Sequence, residues 1–76
     1  MKHLFLTCVG TGIEPTEIVI TEGVTARDIL RHLRLEGLCL LSQGVDPDTF
    51  FQAEEDVYAR VNNFDRLYVF RMNQIN

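Results

Sequence analysis

Apolar and polar residues alternate with two different periods along this chain, and the changes of period mark its elements. In 2-KHLFLTCV-9, Leu4, Leu6 and Cys8 share one side of an extended segment, and in 16-TEIVIT-21, Ile18 and Ile20 do so between Glu17, Val19 and Thr21. Both runs predict half-buried strands. Between them, 10-GTGIEP-15 carries two glycines and a proline, turn chemistry that makes a hairpin the simplest connection.

The period then lengthens to that of a helix. In 24-VTARDILRHLRL-35, Thr25 is placed as an N-cap, Asp28 stands at the capping-box position, and Val24 and Ile29 have the spacing of a hydrophobic staple. Ile29, Leu30 and Leu33 continue one apolar stripe, while Arg27, Arg31 and Arg34 recur on the other side and Gly37 is a plausible stop. Two short apolar runs follow, 38-LCLLS-42 before the turn-like 46-DPD-48, and 66-RLYVFR-71 after Asn62 and Asn63. The segment 49-TFFQAEEDVYARV-61 fits two periods, because 56-DVYARV-61 alternates through Val57, Ala59 and Val61 yet also suits a helix; it reads as a loop or short turn and a brief strand. The resulting order is strand, strand, helix, strand, strand, an α+β class.

A chain of 76 residues is expected to form a single domain, 1–76, burying about 60% of its unfolded surface. No repeat appears, and no apolar run approaches the roughly 20 residues that span a bilayer. The start MKHLFLTCVG begins like a signal peptide, but its short alternating run supplies the first strand instead, so a soluble cytoplasmic protein without membrane association is expected. The net charge of −4 argues against general nucleic-acid binding, and the arginine row reads as a solvated helix face.

Catalytic chemistry finds little material. Asp46, Asp48, Glu54, Glu55 and Asp56 lack the glycine and terminal glutamate offsets of a calcium loop, so neither a metal nor another cofactor is expected. Cys8 and Cys39 form neither a CxxC pair nor a zinc pattern, and they read as buried free thiols. His3 and His32 are the only histidines available as a base, and Ser42, the sole serine, lies outside a nucleophile elbow. The expectation is a protein that is not an enzyme.

The hairpin, the threonine-capped helix and the closing strand together resemble the ubiquitin-like β-grasp family. The likeness runs over nearly the whole chain. It is carried by 23-GVTARDIL-30, similar to the start of the helix in bacterial ubiquitin-like and sulfur-carrier proteins, and by 64-FDRLYVF-70, similar to their last turn and strand. The resemblance implies a mixed sheet of four to five strands packed on one helix, with the first and last strands adjacent. Ubiquitin-like modifiers and sulfur carriers end in a flexible Gly-Gly tail, whereas this sequence closes 71-RMNQIN-76 and has no glycine after Gly44. Lys2 is also its only lysine. A noncovalent interaction module therefore ranks first, a degenerate modifier or sulfur carrier second and a thiol-dependent redox factor third.

In such a sheet the helix covers one face, and alternation lists the other. If Leu4, Leu6, Leu67 and Val69 point inward, Phe5, Tyr68 and Phe70 point outward. Val19 flanks them from the second strand and Leu41, with Cys39, from the third, while Arg66 and Arg71 supply a polar rim. Aromatic residues with arginine are the usual anchors of interfaces, and the resemblance implies that this face binds a protein partner or a second copy of the chain.

Overall fold

A computed structural model of the chain describes residues 1–10 and 15–72. Strands β1 (Lys2–Val9) and β2 (Thr16–Ile20) precede helix α1 (Ala26–His32); β3 (Cys39–Ser42), a 3-10 turn (Pro47–Thr49), helix α2 (Val57–Arg60) and β4 (Asp65–Arg71) complete the order. The strands form one mixed sheet in the order β2-β1-β4-β3. β1 runs antiparallel to β2 and parallel to β4, and β3 runs antiparallel to β4. This is a small α+β architecture with two helices. Residues 11–14 of the predicted hairpin loop and residues 73–76 of the glycine-free C-terminal stretch lie outside the described residues.

Alternation decides which face of the sheet is covered. Leu4 and Leu6 of β1, Leu67 and Val69 of β4, and Cys39 and Leu41 of β3 join Ala26, Ile29 and Leu30 of α1 in one buried cluster, which Phe51, Val57 and Val61 complete. Burying this set is the main favourable term in folding, and it leaves the other sheet face to be occupied differently.

α1 starts as its sequence predicts. The Asp28 amide donates to Thr25 Oγ1 (3.2 Å) and the Thr25 amide to Asp28 Oδ2 (3.0 Å), a reciprocal capping box. The hydrogen bonds from Thr25, its backbone N–H first, hold the Asp28 carboxyl below its ordinary range. A depressed folded-state value means that this contribution is present above the unfolded pKa and lost as pH falls through the folded one. The next amides are met from a distance in sequence, Ala26 donating to Glu55 O (3.2 Å) and Arg27 to Ala53 O (2.9 Å). Segment 53–55 thus closes the helix start.

The end of α1 differs from the expectation that Gly37 stops it and that Arg34 continues its arginine row. Arg34 takes the left-handed conformation at φ 61, its amide donating to Arg31 O (3.0 Å) and the Leu35 amide to Leu30 O (2.8 Å), the paired bonds of a Schellman end. A non-glycine residue there costs about 1–2 kcal/mol. The turn compensates by returning Leu35 to pack against the core.

The predicted brief strand within 56–61 is instead helix α2. Asp56 Oδ1 accepts from the Ala59 amide (3.1 Å) as an N-cap, and Val57 and Val61, one turn apart, are both buried while Ala59 is exposed. The helical spacing of the two valines therefore prevails over the alternation that would have turned Ala59 inward. Ahead of α2 the chain runs along β3: the Gln43 amide donates to Thr49 O (3.0 Å), the Phe51 amide to Leu41 O (2.9 Å), and Phe50 bridges Ser42. Ser42 is buried there, with its Oγ 2.6 Å from Thr49 Oγ1 and 2.8 Å from Gly44 O. Among the described residues, no helix is long and apolar enough to cross a membrane.

Candidate interaction surface

The outer sheet face is assembled by register. Phe5 lies between Glu17 of β2 and Arg66 of β4, His3 lies beside Val19, and Tyr68 lies between Thr7 and Ser42. Partners in register project to the same side, so Phe5, Val19, Arg66 and Tyr68 share the face turned away from α1. Of these, Phe5 is 38% exposed and Val19 48%.

The turn before β4 adds a ring that periodicity does not reveal. The Asn62 amide donates to Asp65 Oδ2 (2.8 Å) and the Asp65 amide to Asn62 O (3.1 Å), closing a tight turn around Asn63 and Phe64. The His3 amide donates to Asn63 Oδ1 (2.7 Å) and the Phe64 amide to His3 O (2.6 Å), fastening that turn to β1. Phe64 consequently stacks on His3 at 5.5 Å between ring centroids and 20° between planes, and on Phe5 at 6.5 Å and 24°. His3 Nδ1 lies 3.1 Å from Glu17 Oε1 on the other side. Phe64 is 62% exposed and sits at φ 70, a conformation a bulky side chain seldom adopts and that costs about 1–3 kcal/mol. A strained backbone holding a largely wet ring is poorly explained by monomer stability.

Four residues predicted for this surface, Cys39 among them, are placed elsewhere. Leu41 is 1% exposed in the core, because the run 38-LCLLS-42 has the phase that turns Cys39 and Leu41 inward and Leu40 outward. Phe70 has the outward phase but is 8% exposed, its ring 6.0 Å from that of Phe50, which the chain running beside β3 carries over it. Arg71 is five positions from Arg66, an odd spacing, so it faces the helix side opposite Cys39. Tyr68 faces outward and is half-buried. The patch is therefore not a row from Phe5 through Tyr68 to Phe70 but a stack of His3, Phe64 and Phe5, flanked by Val19 and Arg66. His3 shares the parity of Phe5, a signal readable from alternation; Phe64 lies in a turn and gives no such signal.

Other predicted features resolve into structure. Arg27 pairs with Glu54 and, at 3.5 Å, with Glu36, which also meets Arg31 at 3.1 Å, so these helix arginines are balanced by neighbouring carboxylates at the surface. Cys8 and Cys39 stand on β1 and β3 with β4 between them and two residues apart in register, so at ordinary strand spacing they are separated by more than roughly 9–10 Å, too far for a disulfide. Burial, followed by the neighbouring Cys8, raises the Cys39 thiol above its ordinary pKa and disfavours the thiolate. Among the described residues, no group of three histidine, cysteine or acidic side chains could hold a metal ion.

No family model and no curated protein matches the chain. What remains to support a functional reading is the surface: three stacked rings, two of them phenylalanines open to water, held by a turn whose hydrogen bonds run to the first strand.

Proposed function

We propose that this chain is a noncovalent protein-interaction module of the ubiquitin-like β-grasp type, binding through the sheet face turned away from α1. The adjacent parallel first and last strands, and the helix connecting the β1–β2 pair to the rest, support the β-grasp assignment. The observation that carries the binding role is the His3–Phe64–Phe5 stack, in which strain at Phe64 maintains an exposed ring. Such rings gain most when a partner removes them from water, and buried aromatic anchors with a polar rim dominate interface energetics. Val19 extends the apolar area, while Arg66 and Glu17 supply charge of both signs beside Phe5.

The test replaces Phe5 and Phe64 together by serine. Both side chains project away from the core, so far-UV circular dichroism should report an intact fold. Sedimentation and affinity capture from native extract should then show self-association or partner retention weakened by about thirtyfold, the effect of losing one strong anchor of about 2 kcal/mol. Undiminished association by the folded double variant would remove this face as the binding surface.

A further inference from the structure

Two rows of side chains cross the outer face from β2 to β4. In the first, Glu17 of β2 and Arg66 of β4 stand on either side of Phe5, so the row reads anion, ring, cation. In the second, Val19 stands on the β2 side of His3 and Phe64 on the β4 side; the Phe64 amide donates to His3 O (2.6 Å) and its ring stacks on the imidazole. Glu17 and Arg66 are both exposed. His3 Nδ1, 3.1 Å from Glu17 Oε1, holds that carboxylate on the face through one of its two oxygens. Arg27, Arg31 and Arg60 each meet a carboxylate, whereas Arg66 has no ion-pair partner among the described residues.

We infer, resting on the sheet-face reading above, that the occupant of this face is a second copy of the chain, docked about a two-fold axis that runs parallel to β1 above His3 and Phe5. Such an axis lays each row on its own copy reversed end for end. Glu17 of each copy then meets Arg66 of the other, Val19 meets Phe64, and Phe5 and His3 meet their counterparts near the axis. Facing sheets stand roughly 10 Å apart, within the combined reach of a glutamate and an arginine. Both charged contacts are therefore attractive, and the stacked rings leave water together. A two-fold axis running across the strands at Phe5 would instead set Glu17 on Glu17 and Arg66 on Arg66, repulsive at both ends. The net charge of −4 opposes pairing mainly beyond the contact, where salt screens it. The order of charge along one row thus selects both the partner and its orientation.

Sedimentation equilibrium of the full chain should show a reversible monomer–dimer equilibrium below about 1 mM, as suits a small interface. Glu17→Arg and Arg66→Glu, each alone, oppose like charges at both contacts and should weaken the dimer at least about tenfold. An equimolar mixture of the two variants restores an opposite pair at both contacts, and so does the double variant Glu17→Arg/Arg66→Glu. Both should dimerise within about threefold of the parent. Circular dichroism should report the parent fold throughout, because both side chains are exposed. A chain still monomeric at about 1 mM would overturn the inference, and if it nevertheless held another protein through Phe5 and Phe64, the sheet-face reading would stand without it. Single swaps that leave the dimer unchanged, or a mixture no tighter than its components, would overturn the orientation and with it the inference. A dimer that survives Phe5→Ser/Phe64→Ser undiminished would overturn both readings.

Discussion

Leu6→Ala is expected to cost about 2–5 kcal/mol, whereas Phe5→Ser, one position away, is expected to cost about 1 kcal/mol. Leu6 has no exposed surface and sits mid-sheet between Thr16 of β2 and Leu67 of β4, with the cluster beneath α1 around it. Shortening it removes apolar contacts and leaves a cavity that two flanking strands cannot easily close. Phe5, 38% exposed on the outer face, loses its stacking on Phe64 and part of its packed area but leaves no enclosed cavity. Stability scales as about 0.05–0.15 kcal/mol per residue, on the order of 4–11 kcal/mol at this length, so the Leu6 variant forfeits a large share of it. Urea unfolding followed by circular dichroism should show Leu6→Ala with a greatly lowered midpoint or already unfolded, and Phe5→Ser close to the parent. Comparable losses at both positions would mean that the two faces of the sheet are not covered unequally.

The second large effect is expected at the only lysine. Lys2 Nζ donates to Tyr58 O (2.6 Å) and Val61 O (2.8 Å) and stands 4.1 Å from the Tyr58 ring centroid. These carbonyls belong to the final turn and C-cap of α2, a helix of 4 residues that is far too short to persist alone. A cation at a helix C-terminus satisfies orphan carbonyls and meets the negative end of the dipole. Lys2→Met retains the apolar stem but forfeits the charged hydrogen bonds and the cation–π contact, a loss of about 2–3 kcal/mol. Amide exchange should quicken most at residues 58–61, with a smaller rise elsewhere from the general loss of stability. A uniform change with no excess there would show that Lys2 does not hold α2.

How far the sequence was legible depended on whether each signal was local. Thr25 and Asp28 announced the start of α1 because a capping box is complete within four residues, and the alternation of β1 and β4 correctly set Leu4, Leu6, Leu67 and Val69 inward and Phe5 and Tyr68 outward. α2 is hidden from periodicity because Val57 and Val61 satisfy both periods, and one of the contacts that hold the helix comes from Lys2, 56 residues away. A run of four consecutive apolar residues does not reveal the phase of β3, so nothing local shows that Leu41 faces the core. Phe70 had the correct phase and lost its exposure to Phe50, a contact set by how the chain returns beside β3. Phe64 joins the patch only because β1 and β4 pair in parallel, bringing the turn at Asn63 against His3. Nothing local distinguishes Arg34, bound for a left-handed turn, from an arginine that continues a helix.

The proposed binding role requires a sheet covered by α1 on one side and presenting a stack of open rings on the other. Enhanced relaxation of aromatic ring protons by a soluble gadolinium chelate, recorded on the full chain, measures that directly. The rings of Phe5 and Phe64 should relax strongly, while Phe51, buried in the core, should be protected. Phe5 and Phe64 rings as protected as Phe51 would contradict it.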